Sequence, residues 1–217
     1  MFTLPTSTIV NRVIPKSAFD KFSDSRQKRL FIDKVNKIRW LNKLSVDTIN
    51  LVGVEVKEIQ LIEIELRQKD LIPDLLKIID KAIPYHILFI LKYGDLYLLS
   101  ASQKHIHPGN ENLSVIDWTF STGWIEKDLM CQEFNLKKSL DFVFADMIYQ
   151  IAGKPRSTEL NITSLINQEQ TIKQLSRRIE KLKSEIKKCR QFNKKVDLNL
   201  ELLECETKLS LINDKEG

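Results

Sequence analysis

From Leu165 the apolar residues recur at Ile172, Leu175, Ile179, Leu182, Ile186 and Cys189, and after a polar break at Leu198, Leu202, Cys205, Leu209 and Ile212. Steps of three and four residues put one side chain per turn on a single stripe, the a/d seam of a coiled coil, and such a stripe is buried only against another helix. The two segments differ in sign. Glu169 to Lys195 carries ten Lys/Arg against three Asp/Glu, whereas Val196 to Gly217 carries two against six. Opposite charge favours helices lying side by side. The pattern predicts an antiparallel helical hairpin turning near Phe192 to Val196. Pairing between two chains satisfies it equally, so a homodimer through the tail stands beside the hairpin. Cys189 and Cys205 fall on the seam and read as small hydrophobes.

The remaining length suits one cored domain of about 150 residues. We expect a mixed α/β domain over 1–153, a linker over 154–160 and the helical hairpin or coiled coil over 161–217. Residues 1–160 hold 22 basic and 20 acidic side chains, so the net charge of +5 resides mainly in the first tail helix. No stretch approaches the roughly 18 apolar residues of a membrane span. The opening MFTLPTSTIVNRVIPK lacks the order of a secretory signal. A cytoplasmic address without membrane contact is the expectation. Three widely spaced cysteines without a CxxC predict free thiols rather than disulfides or zinc ligands.

Within the domain, Ser25 to Leu44 has amphipathic helical spacing, with Phe31, Val35, Ile38 and Leu41 on one side. Thr48 to Leu51 and Val54 to Leu66 read as strands, with a hairpin near Val52 and Gly53 and a bend in the longer strand. Pro73 opens a helix carrying Leu75, Leu76, Ile79 and Ile83, which Pro84 ends. Tyr85 to Leu91 and Leu96 to Ser102 flank Tyr93-Gly94-Asp95, a compact hairpin signal. Ile87 to Leu91 is apolar throughout, as in a strand covered on both faces. A further strand is expected at Ser114 to Thr119. Leu136, Leu140, Val143, Met147 and Ile151 trace another helix, stopped at Gly153-Lys154-Pro155.

Several phrases keep their order along nearly the whole chain: LPTSTIVNRVIPKSAF from Leu4, IRWLNKLSVDTINL from Ile38, EIQLIEIELRQKD from Glu58, IDKAIPYHILFIL from Ile78 and QFNKKVDLNLEL from Gln191. In these the chain resembles an uncharacterised bacterial family, the domain of unknown function four-three-nine-one. The resemblance implies a gene neighbourhood with a DEAD/DEAH-type helicase and a DNA methyltransferase, in restriction or phage-defence loci. It brings no catalytic residues with it.

The chain has no GxxxxGK[ST] loop, no Gly-rich turn after a strand, no HExxH and no GxSxG, so no cofactor is expected. The enzymatic candidate is a metal-dependent nuclease of PD-(D/E)xK type. Glu63, Glu65 and Arg67 alternate onto one strand face, with Lys69 beyond, and Asp47 or Glu55 is available as an earlier acid. Strand-borne carboxylates beside a base can hold magnesium and a nucleophilic water against a phosphodiester. The triplet reads Glu-Leu-Arg, however, and Arg is a poor proton-transfer group. Such alternating charges also describe a solvent face. His86, His105 and His107 are a weaker metal set. Trp40, Trp118, Phe120 and Trp124 suit core packing, or stacking on bases if exposed.

The expected function is that of a non-catalytic accessory subunit. It would dock onto a helicase or DNA methyltransferase through the tail, with Ile179, Leu182, Ile186, Arg177 and Lys181 central. A nucleic-acid-binding module, through Arg177, Arg178, Lys187, Lys188 and Arg190, is the other reading beside the nuclease.

Overall fold

The computed structural model describes residues 2–155 and 159–214. The chain divides into two compact units, Met1–Leu160 and Asn161–Gly217. In chain order the first holds β1 (Ile9–Ile14), α1 (Ser25–Lys34), β2 (Val35–Ser45), the single-turn α2 (Val46–Ile49) and β3 (Glu58–Leu66). There follow α3 (Pro73–Ala82), β4 (His86–Tyr93), β5 (Leu96–His107), β6 (Asn110–Ser121), β7 (Ile125–Glu126) and α4 (Leu140–Ile151). The strands form one mixed seven-stranded sheet in the order β1-β2-β3-β4-β5-β6, with β7 beside β5. Every pairing is antiparallel except β3 with β4. Those two are joined through α3, since a parallel pair needs a crossover. The second unit consists of α5 (Ile162–Lys188) and α6 (Phe192–Asp214), which contact each other. A mixed α/β domain followed by C-terminal helices is therefore what the chain forms.

One face of the sheet presents Ile62, Ile64, Leu66, Ile87, Phe89 and Leu91 to Phe31 of α1 and to Leu75, Leu76 and Ile79 of α3. His86 alternates with Ile87 and so points to the opposite face, where its ring lies 4.4 Å from that of Phe144 in α4. Helices on both faces explain why Ile87 to Leu91 is apolar without interruption. The turn at Gly94, whose φ is 57°, closes the β4–β5 hairpin where the sequence places it.

Five expectations are overturned. The predicted Ser25 to Leu44 helix stops at Lys34, and Val35 begins β2. Strand β2 is irregular between Val35 and Lys37 and again between Trp40 and Asn42. An extra residue restores a side chain to the same face after three positions instead of two. Val35 and Ile38 thus enter one core cluster at a spacing that imitates a helix. The expected strand at Thr48 to Leu51 is instead α2 and its exit. The Thr48 hydroxyl accepts from the Ser45 N–H at 2.9 Å and donates to the Lys43 carbonyl at 2.9 Å. Asn50, at φ 54°, ends the turn. β3 starts only at Glu58, and α4 begins at Leu140 rather than Leu136, with Ser139 Oγ accepting from the Phe142 N–H at 3.2 Å.

Nor is there a hairpin at Val52 and Gly53. That segment wraps the start of α4, where the Asp141 carboxylate accepts from the N–H groups of Val54, Glu55 and Val56 at 2.7, 2.9 and 2.8 Å. Burial alone would raise the Asp141 pKa, but these backbone hydrogen bonds outweigh it and hold the carboxyl below its ordinary range. The wrap explains Gly53. A Cβ there would lie 2.0 Å from the Val56 carbonyl oxygen. Gly53→Ala is expected to destabilise the first unit by about 3 kcal/mol, the range of a forced backbone shift. Chemical denaturation measures this, and a loss below about 0.5 kcal/mol would mean that the loop relaxes freely.

A buried polar cluster ties β5 to the end of α3. Lys104 Nζ donates to the carbonyls of Asp80 and Ile83, both at 2.7 Å, and to Asp80 Oδ1 at 2.9 Å. The Ser114 hydroxyl donates to the Asp80 carbonyl at 2.8 Å. All three ammonium protons are used, and they satisfy helix-end carbonyls that have no partner within α3. Burial pushes the Asp80 carboxyl up and the Lys104 ammonium down, while their mutual attraction opposes both.

His86 feels the same environment. Burial first, and the Lys104 charge second, lower its pKa to about 4. An unfolded histidine titrates near 6.5, so between about 4 and 6.5 the unfolded chain binds the extra proton. Stability therefore rises with pH across that window. The contribution is complete above about 6.5 and lost as pH falls towards 4, a difference of about 3 kcal/mol. Urea midpoints measured at both ends should show it, and His86→Leu should flatten that slope. An unchanged slope in the variant would assign the pH dependence elsewhere.

Candidate functional site

Helix α5 starts where Asn161 Oδ1 accepts from the Ser164 N–H at 2.9 Å, and it ends at Cys189, whose backbone is extended. Only Cys189, Arg190 and Gln191 separate it from α6, so the turn falls at Cys189–Gln191 and not at the expected Phe192 to Val196, which open α6. Between the two helices Leu182 is fully buried and Ile179 and Cys205 nearly so, with Leu175, Leu198, Leu202 and Leu209 packed around them. Seam residues from both helices thus meet in one cluster. Arg178 grips Glu201 with two hydrogen bonds of 2.7 Å, and Lys183 reaches Glu206 at 2.8 Å. The charge difference between the two segments is expressed in these cross-helix pairs.

That cluster sorts the residues assigned to this site. Ile179 and Leu182 are spent on the helix pair, and Ile186 is half-buried. Arg177, Lys181, Lys187, Lys188 and Arg190 are exposed, Lys181 lying 3.8 Å from Glu185. Arg178 is engaged with Glu201. The seam also accounts for only one apolar face of α6. Phe192, Val196, Leu200, Leu203 and Leu211 are exposed and follow their own steps of four, four, three and eight along the opposite side, with Thr207 between the last two. This second stripe escaped the sequence reading because apolar residues crowd α6 on two sides, and the seam absorbed the periodicity.

The residues of the nuclease reading are placed as follows. Glu63 is nearly buried, with Arg39 Nη1 3.8 Å from its Oε1. Glu65 pairs in register with Lys37 and accepts from Asn36 Nδ2 at 3.0 Å. Both carboxylates share the face of Leu61 on β3, alternating with Ile62 and Ile64, and face cationic or amide partners from β2. Asp47 lies in the first turn of α2, Glu55 in the loop held by Asp141, and Lys69 is exposed after β3. Arg67 Nε donates to the carbonyls of Ile32 and Val35 at 3.2 and 3.3 Å, closing the end of α1. Among the described residues no group of three His, Cys, Asp or Glu side chains could hold a metal ion.

The histidines and aromatic residues are distributed through the first unit. His86 is buried, His105 Nδ1 lies 3.0 Å from an Asp117 carboxylate oxygen, and His107 Nδ1 accepts from the Gly109 N–H at 3.0 Å. Phe120 is buried and Trp124 packs on the core cluster, while the Trp40 indole N–H donates to the Asn42 carbonyl at 3.1 Å. Trp118 is half-buried on β6. The three cysteines are free thiols. No helix among the described residues is long and apolar enough to cross a membrane.

No curated protein and no solved structure matches the chain. A family model does, over residues 2–209, and its description is domain of unknown function (DUF4391). That span takes in the whole sheet together with both tail helices through Leu209, so the chain belongs to the DUF4391 family.

Proposed function

We propose that the protein is a non-catalytic accessory subunit of a bacterial DNA-modification or phage-defence system, docking onto a helicase or DNA methyltransferase through its helical tail. The observation that supports this reading most is the exposed basic side of α5, with Arg177, Lys181 and Lys188, on a helix whose apolar seam is already filled. The tail acts as an antiparallel hairpin, its helices linked by three residues, and presents an ordered charged surface rather than a seam awaiting a partner. An acidic face of the partner is the complement, and such charge matching governs association rate and register. The DNA-associated context comes from the family resemblance.

The test is recovery of partners with a tagged chain from its native host. Full-length protein is expected to retain a helicase or methyltransferase, and a truncation after Gly153 to lose it. Arg177→Glu with Lys181→Glu should lose it too, while leaving the buried seam untouched. Retention by the truncated chain would move the contact to the sheet domain.

The same basic residues also favour a second reading, contact with nucleic-acid phosphates. That contact would weaken steeply as salt rises. Binding to DNA by the isolated chain that tracks salt in this way would support it.

A further inference from the structure

We propose that the outer face of α6 is a self-association surface on which a second copy of this chain docks its own α6 running in the opposite direction. Phe192, Val196, Leu200, Leu203 and Leu211 are exposed by 77, 42, 57, 62 and 57%, an unusual density of large apolar side chains on one helix. At about 100° per residue they occupy an arc of roughly 100°, diametrically across from the seam that packs on α5. The surface is separate from the basic face of α5 and does not depend on the adaptor reading.

The order of residues selects the occupant. A reversed copy, centred between Glu201 and Leu202, brings Phe192 opposite Leu211 and Val196 opposite Thr207. It also brings Leu200 opposite Leu203, twice, at the two-fold axis. The patch is therefore complementary to itself, as an isologous interface requires. On one flank Lys195 comes within a turn of Glu206 of the other copy, whose second oxygen remains open beside its Lys183 pair, again twice by symmetry. On the other flank Asp197 lies between Lys208 and Glu204 of the second copy, close to neutral.

The exposed apolar area is on the order of 500 Å² per copy, and roughly 1,000 Å² for the pair is the lower range of stable interfaces. The dimer should therefore form at micromolar concentration, two helix pairs joining as four helices.

Sedimentation equilibrium of the full chain, over roughly 1 to 200 µM, tests this. The expected mass rises from 25.3 kDa towards twice that value with concentration. Leu200→Glu with Leu203→Glu should remain monomeric throughout with unchanged helical circular dichroism, since both positions are exposed. A wild-type chain that is monomeric at the highest concentration overturns the proposal, as does a variant that dimerises like the wild type. The direction is tested by cysteines. In a chain whose exposed Cys131 and half-buried Cys189 are replaced by Ser, Val196→Cys combined with Thr207→Cys should cross-link two chains on mild oxidation, whereas neither change alone should. A single change that cross-links well would show parallel pairing and overturn the reversed register.

Discussion

Asp80→Ala should lower the unfolding free energy of the first unit by about 3–5 kcal/mol, the range seen when one partner of a buried ion pair is removed. The lost carboxylate leaves the Lys104 ammonium sealed from water with only the carbonyls of Asp80 and Ile83 to meet it. Burial of one uncompensated charge decides the sign and outweighs the relief of no longer desolvating the carboxylate. Asp80→Leu combined with Lys104→Met removes both charges and should recover most of the loss, because an apolar pair of similar volume avoids both desolvation penalties. Recovery will be incomplete, since the Ile83 carbonyl then lacks its Lys104 donor while the Asp80 carbonyl keeps only Ser114. Trp40, Trp118 and Trp124, the chain's only tryptophans, all lie in the first unit. Their fluorescence during urea titration therefore reports it alone. At typical slopes the single variant's midpoint falls by roughly 2 M. A fall under about 0.5 M would show that water reaches the cluster and that the pair is not closed.

The second large effect is expected in the other unit. Leu182 has no exposed surface and lies among Ile179, Cys205, Leu175, Leu198, Leu202 and Leu209. Leu182→Asp removes its apolar contacts and places a carboxylate where no donor waits, at a cost of about 3 kcal/mol or more. A two-helix unit has little stability in reserve, so the pair should open. Far-ultraviolet circular dichroism should drop while the tryptophan-monitored transition stays where it was. Arg178→Ala, which removes an ion pair open to solvent, should move neither signal much. If the adaptor reading is right, Leu182→Asp also loses the partner, because the basic residues of α5 no longer share one ordered face. Retained helicity in Leu182→Asp would mean that α5 does not depend on α6.

These two sites differ in how far the sequence announces them. The helix pair is legible because its signal is periodic: Leu175, Ile179 and Leu182, and then Leu198, Leu202 and Cys205, recur at helical steps, and the charge asymmetry points to their cross-helix partners. The α3 helix and the β4–β5 hairpin are legible for a similar reason, since Pro73, Pro84 and Gly94 act locally. Long-range geometry is different. No rule of spacing connects Lys104 to Asp80 or Asp141 to the amides of Val54 to Val56, because those contacts exist only once the sheet has formed. The bulges in β2 concealed a strand by giving Val35 and Ile38 the separation of helix neighbours. Glu63 and Glu65 shared a face as their alternation implies, but the basic and amide groups opposite them belong to β2, a segment the helical pattern had claimed. The outer stripe of α6 was visible in principle; it required asking of one helix whether it had two apolar faces.

The strand order has a further consequence. From β1 to β6 each strand lies beside the one that precedes it in the chain, so every addition to the sheet docks against an edge already made. A chain emerging from its N-terminus can extend this sheet in a single direction, without inserting a late strand between two earlier ones. The loop entropy of each step is then that of one connection, smallest at the tight turns after β4 and β5 and larger where α1, α2 or α3 intervenes. The growing edge, a hazard for mispairing while it lasts, is the most recently synthesised strand and is covered by the next to arrive, while β1 stays at the opposite edge.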